Sequence, residues 1–224
     1  MNNLTQDSFN FRKLKPEDAP QLIALVEDVY SRIDQKHIFV RDDLEYIEKT
    51  LKDGGRGLGV YLDDELVGFR YVTITPREDS LVAYTDIKTD AKHVVNLDTV
   101  LLHEKARGFG FQNKLRTMML EELMADGYHV YASTISPDNE ISFANSINAG
   151  THLVALKHVY PSEQFPEGVL RFIFFRDFQR DFEFTDETAE AAPGEHDTIH
   201  ELLDKGYVGV SYSDGKIKFQ KRRC

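Results

Sequence analysis

A chain of 224 residues, 41% hydrophobic and 11% aromatic, can bury a full core. Its formal charge of −11 argues against a general nucleic-acid binder, because a polyanion would meet net repulsion, and no run of about 18 apolar residues offers a membrane span. The amino terminus lacks a basic stretch followed by an apolar one, and the one cysteine is Cys224, so we expect a soluble, cytoplasmic protein without membrane contact, disulfide or metal site.

Phe9 to Leu14 alternates as a strand, and Leu22, Ile23, Val26, Val29, Tyr30 and Ile33 recur at helical spacing behind Pro16-Glu17-Asp18. A second helix is expected over Asp43 to Leu51. Leu58 to Leu62 and Leu66 to Thr75 read as a hairpin turning at Asp63-Asp64-Glu65. Pro76 to His93 is polar with few periodic positions and is expected to be a loop bordering the substrate. Val94 to Leu102 is a buried strand. Gln112 to Ala125 is a helix that Gly127 closes, and Tyr128 to Thr134 is a strand.

Behind Pro137-Asp138-Asn139, a helix with Ile141, Phe143, Ala144 and Ile147 runs to Gly150, and His152 to Tyr160 and Val169 to Asp177 are strands. This order predicts an α/β chain with a mixed sheet and helices on both faces. We expect one domain over 1–180, an acidic linker over 181–197 and a small extension over 198–224. Within the linker, 184–197 is rich in acids and alanine without an apolar period, and disorder is expected there. In the extension, Ile199 to Leu203 suits a short helix, and Tyr207 to Tyr212 and Lys216 to Gln220 form a hairpin around Asp214-Gly215. The acids are concentrated: nine lie in 181–204, whereas 205–224 holds six Lys or Arg against one Asp. Such a surface favours a cationic ligand without naming it.

The junction His103 to Phe111 carries the chemistry. A helix amino terminus offers unpaired N–H groups and a partial positive charge, Gly108 and Gly110 let phosphates approach, and Arg107 adds a planar cation. The pattern is neither a P-loop nor a dinucleotide fingerprint, and on these residues alone a plain glycine-rich turn explains it equally well.

Over most of Phe11 to Asp177 the sequence resembles the GNAT superfamily of acetyl-CoA-dependent N-acetyltransferases. Arg107, Gly110 and Gln112 fall on its cofactor turn, most like the members with Arg-Gly-x-Gly-x-Gln followed by the position of Leu115. Asn139, Ser142 and Gly150 fall on its second element, with Ser146 where many members carry an acidic tyrosine. The resemblance implies a mostly antiparallel twisted sheet, acetyl-CoA as co-substrate and an amine substrate attacking directly. It implies cofactor contacts from Arg107, Gly108, Phe109, Gly110, Phe111, Gln112, Asn139 and Ser142, and a thioester oxygen polarised by the N–H of Leu101, Leu102 or His103.

Asp98, which interrupts an apolar strand, is the leading base, although it would also serve as a plain backbone partner. Glu104 and His103 are lesser candidates. Ser146, Tyr131 and Tyr160 are the candidate acids. His196 and His200 sit four apart in a polar setting, where a solvated face outweighs metal binding, and Phe172, Phe174, Phe175 and Phe178 read as core. A catalytically silent acyl-CoA-binding module, transfer of a longer acyl group and a homodimer stay open.

Overall fold

The computed structural model describes residues 4–223; Cys224 and the Met1–Asn3 end of the chain, on which the compartment reading partly rests, lie outside the described residues. The chain forms two compact units, one running to Ile74 and resuming from Leu97 to Tyr128, the other comprising Thr75–Asn96 and His129 onward. No helix among the described residues is long and apolar enough to cross a membrane.

In the first unit, β1 (Phe9–Lys13), β2 (Arg56–Leu62) and β3 (Glu65–Pro76) form an antiparallel meander, followed by the end of β4 (His93–Leu102). Strand alternation sorts the side chains. Phe69 and Tyr71 pack with Leu22 and Val26 of α1 (Ala19–Ser31) and Ile47 of α2 (Leu44–Lys52). Their neighbours on β3 turn to the other face, under α3 (Phe111–Ala125). Pro16–Asp18 makes a 3-10 turn leading into α1, and Asp43 caps α2 by accepting from the Tyr46 N–H at 2.7 Å.

In the second unit, the start of β4 runs parallel to β5 (Val130–Ile135), with Val95 opposite Tyr131. Every later ladder is antiparallel, through β7 (Val169–Asp177), β6 (His152–Val159), β9 (Tyr207–Ser213), β10 (Lys216–Arg222) and β8 (Phe184–Ala191), in that spatial order. Phe172 and Phe174 share one core with α4 (Glu140–Ile147) and α5 (His196–Asp204), while Ile173 and Phe175 turn to the other core. The expected aromatic stripe is thus two core faces. Phe178 departs from it, exposed with its ring edge-on to Tyr131.

One expectation is corrected. Residues 184–197 are no disordered linker: β8 pairs along β10, with Ala191 opposite Ile217 and Ala189 opposite Phe219. The two alanines tuck toward the apolar cluster of Ile199, Ile217 and Phe219, while Asp186, Glu187 and Glu190 face water. The 76–93 segment is the expected loop, and within it the chain folds into 3-10 turns at Arg77–Asp79 and Leu81–Tyr84. Leu81, Val82 and Ile87 join the core of the second unit, which accounts for a loop of that length being ordered.

Candidate functional site

β4 ends at Leu102, and a 3-10 turn over Glu104–Ala106 delivers the chain to the head of α3. Gly108 and Gly110 both have positive φ, +81° and +75°, and beyond their chain neighbours no heavy atom of the described residues lies within 4 Å of the place a Cβ would take at either. Glycine is needed there for the backbone conformation, and its missing side chain leaves the approach to the helix end clear. Gly110 is the N-cap and supplies no side-chain acceptor, and the first turn holds no acid. The first intrahelical bond runs from the Lys114 N–H to the Gly110 carbonyl at 3.1 Å, so the Phe111, Gln112 and Asn113 N–H groups precede it. This end of α3 has backbone donors, a positive dipole and open space, the donor set a diphosphate fits.

The aromatic residues of the turn hold it in shape. The Phe109 ring lies 5.1 Å from Phe9 and 5.5 Å from Phe111, and Phe111 is fully buried. The Phe109 carbonyl accepts from Gln6 Nε2 at 2.9 Å. Only the backbones of these two residues are therefore disposed toward a ligand. Arg107 is exposed, and its Nε donates to the Leu102 carbonyl at 3.2 Å, which lays the guanidinium against the end of β4.

Of the three expected backbone donors at the end of β4, His103 is corrected: its N–H donates to the Val67 carbonyl at 2.9 Å. Its ring is engaged too, with Nδ1 accepting from the Lys105 N–H at 3.2 Å and Nε2 lying 3.4 Å from Asp28. Glu104 is an exposed turn residue 3.4 Å from Arg32.

Asp98 stands in a cluster of polar groups. The residue is partly exposed, yet its Oδ2 is fully buried without a hydrogen-bond partner among the described residues. Burial pushes its carboxyl up to about 8; the charge of Asp42 adds to this, and hydrogen bonds from the Thr73 hydroxyl and backbone oppose it. Asp42 itself accepts from the Tyr71 hydroxyl and, at 3.3 Å, from the Thr99 hydroxyl. Its carboxyl is also raised, mainly by burial. Burial and the adjoining Asp42 keep the Tyr71 phenol protonated far above its ordinary range. The arrangement can take a proton from an ammonium group near neutral pH. Asp42 and Tyr71 were not singled out from the sequence, where 28 intervening residues separate them and only Asp43 gives a local signal, as a cap.

The second sequence element is internally satisfied. Asn139 caps α4, its Oδ1 accepting from the Ser142 N–H at 3.2 Å. The Thr151 hydroxyl donates to the Ser146 carbonyl at 2.8 Å, which uses its proton. In the 2.9 Å contact between the two hydroxyls, Ser146 is therefore the donor. The one proton of the Ser146 hydroxyl closes the end of its own helix. Tyr131 is buried, whereas Tyr160 has a φ of +61° and an exposed side chain whose hydroxyl meets that of Thr134 at 2.9 Å. His196 and His200 lie one turn apart on α5, and no group of three metal-ligating side chains gathers among the described residues.

No protein-family model matches the sequence, and no curated protein does. Solved structures do resemble the fold. Arabidopsis thaliana NAA60 in complex with acetyl-CoA superposes with a TM-score of 0.62 at 16% identity, over 77% of this chain and 99% of that one. An N-acetyltransferase from Staphylococcus aureus Mu50 gives 0.59 at 11% identity, over 77% and 99%. An acetyltransferase of the GNAT family from Streptococcus pneumoniae gives 0.54 at 16% identity, over 75% and 99%. What is shared is the fold: a largely antiparallel mixed sheet flanked by helices, as in those acetyltransferases.

Proposed function

We propose that this chain is an N-acetyltransferase of the GNAT type, cytoplasmic, moving an acetyl group from acetyl-CoA to a primary amine of a small molecule or peptide. The observation that carries the reading is the open head of α3, two glycines of positive φ and a first turn with no side-chain cap on the segment that directly follows β4, the strand bearing Asp98. The fold it shares with NAA60, a protein solved with acetyl-CoA and with a bisubstrate analogue, supports it.

Bound acetyl-CoA would supply an activated thioester. The backbone of Arg107 to Gln112 binds the diphosphate, and Arg107 adds charge once its side chain leaves the Leu102 carbonyl. Leu101 and Leu102 are the remaining backbone donors for the carbonyl oxygen. Asp98 takes the proton that an ammonium substrate must lose before its nitrogen can attack; the C–N bond forms as the C–S bond breaks. Because the Ser146 proton is committed to Thr151, the departing sulfur takes its proton through water, and the newly acylated nitrogen gives up its second proton to that water. A thiolate with a reference pKa of about 8.5 needs little further help near pH 8. Asn139 and Ser142 are satisfied within their own helix end.

The committed Ser146 hydroxyl favours a second reading, a silent module that binds acyl-CoA without transfer. A screen of amines with acetyl-CoA and thiol detection decides between them: free thiol released with at least one amine supports the enzyme, and binding without release supports the module. If acetyl-CoA does not raise the melting temperature, both readings fall.

A further inference from the structure

The turn into α3 is held from a distant part of the chain. Ahead of β1, Gln6–Ser8 forms a single 3-10 turn. The Ser8 N–H donates to the Thr5 carbonyl at 3.1 Å, and the Thr5 N–H returns a bond to Ser8 Oγ at 3.2 Å. This turn leads straight into β1, which is anchored along β2 from Phe9 opposite Leu62 to Lys13 opposite Leu58. Gln6 stands at the surface, and its Nε2 donates to the Phe109 carbonyl at 2.9 Å, across a separation of 103 positions in the sequence.

Phe109 lies between the two left-handed glycines, Gly108 and Gly110. Its ring is set by neighbouring rings, 5.1 Å from Phe9 and 5.5 Å from Phe111, and Phe111 is in turn 4.8 Å from Phe9 and 5.4 Å from Phe11. These contacts fix where the side chain sits but not which way the carbonyl points. The peptide plane between Phe109 and Gly110 can turn by coupled rotation about the two bonds that flank it, and glycine accepts either sign of φ. In a trans peptide the N–H points opposite to the carbonyl, so a Phe109 carbonyl drawn toward Gln6 sends the Gly110 N–H away from Gln6. Gly110 is the N-cap of α3, and its N–H immediately precedes the donors of the first helical turn.

One side-chain hydrogen bond thus selects between two orientations of a peptide at the helix head. We propose that Gln6 is a positioning residue of this turn: by holding the Phe109 carbonyl it keeps the Gly110 N–H in line with the donors of α3, and so sets the affinity of that end for the diphosphate of acetyl-CoA. This role rests on the reading of that end as the acetyl-CoA site. It adds to the site a side chain from ahead of β1, outside the Phe11 to Asp177 stretch that carries the family resemblance. A ligand that needs the selected orientation binds more weakly in proportion to the molecules lost from it.

The test compares wild type with Gln6→Met, which keeps the length and neutrality of the side chain and removes its donor. Two quantities are measured: the amide resonance of Gly110 in the ligand-free, isotope-labelled protein, and the Kd for acetyl-CoA by titration calorimetry. In the variant the Gly110 resonance should move, and the Kd should rise about threefold to tenfold, the worth of one hydrogen bond. A resonance that stays in place overturns the role, and so does a moved resonance with an unchanged Kd. If Gln6→Met does not fold, Gln6→Glu, whose carboxylate accepts but cannot donate, is judged by the same two measurements. If wild type does not bind acetyl-CoA, the cofactor reading falls and inorganic pyrophosphate becomes the probe. Weaker pyrophosphate binding by the variant then supports the role of Gln6, and equal binding, or none by wild type, overturns it.

Discussion

The heads of α3 and α4 are each a turn leading into an amphipathic helix, but they are built on opposite chemistry. Before α3, left-handed glycines present backbone donors that no side chain covers. Before α4, the Asn139 carboxamide caps the helix, and at the far end Ser146 and Thr151 close it. A helix end that satisfies itself contributes stability and shape; one left open by glycine is arranged for a ligand to complete.

That contrast can be broken at several points. The largest effect is expected from Gly110→Asp, which forces an L residue to a φ of +75°, at about 1–2 kcal/mol, and sets a carboxylate against the α3 donors. Acetyl-CoA should then no longer raise the melting temperature, and a retained shift would remove this turn from cofactor binding.

Next is Asp98→Asn, for which amine-dependent thiol release should fall roughly 100-fold. In wild type the rate should rise with pH through about 8, as the carboxyl ionises, and this limb should vanish in the variant. Stability gives an independent check. With its carboxyl raised from the usual value of 3.8 to about 8, folded Asp98 keeps a proton that the unfolded chain has released, so its contribution is complete below about pH 4 and is lost as pH rises toward 8. Asp98→Asn should flatten that decline in urea titrations across the range.

Asn139→Ala should cost about 1 kcal/mol of stability through the lost cap while leaving the acetyl-CoA response in place. If the response also disappears, the two helix heads are not as different as their hydrogen bonds indicate. The smallest effect is expected from Ser146→Ala: about 0.5–1.5 kcal/mol of stability and a turnover within twofold of wild type. A roughly 100-fold loss of turnover would restore Ser146 as an acid.

The sequence carried most of the strand and helix positions because period, proline and glycine signals are local. The hairpin at Asp214-Gly215, with φ of +52° and +76°, and the last strand of the main run, Val169–Asp177, formed where they were expected. β8 did not show, since its inward positions are alanines, which carry little strand preference, and its pairing is settled by β10 well downstream. The turn into α3 was legible as glycines ahead of a helix. Asp42 was not, because what makes it notable is Tyr71 and Thr99 closing on it from β3 and β4, and no local pattern encodes that. Ser146 showed the converse: a motif position marked a residue whose proton Thr151 had already taken.

The acidity of β8, which hid the strand, has a further effect on how the molecule meets its own copies. β8 pairs on one side with β10 and, among the described residues, with no strand on the other, so it is a sheet edge of the kind that invites addition of a second chain. Asp186, Glu187 and Glu190 line it, and only partly are they answered by Lys221 at 3.0 Å and Lys216 at 3.6 Å. Two such edges brought together would oppose like charges, a barrier to aggregation carried on the surface rather than in the core, and one that weakens as salt screens it.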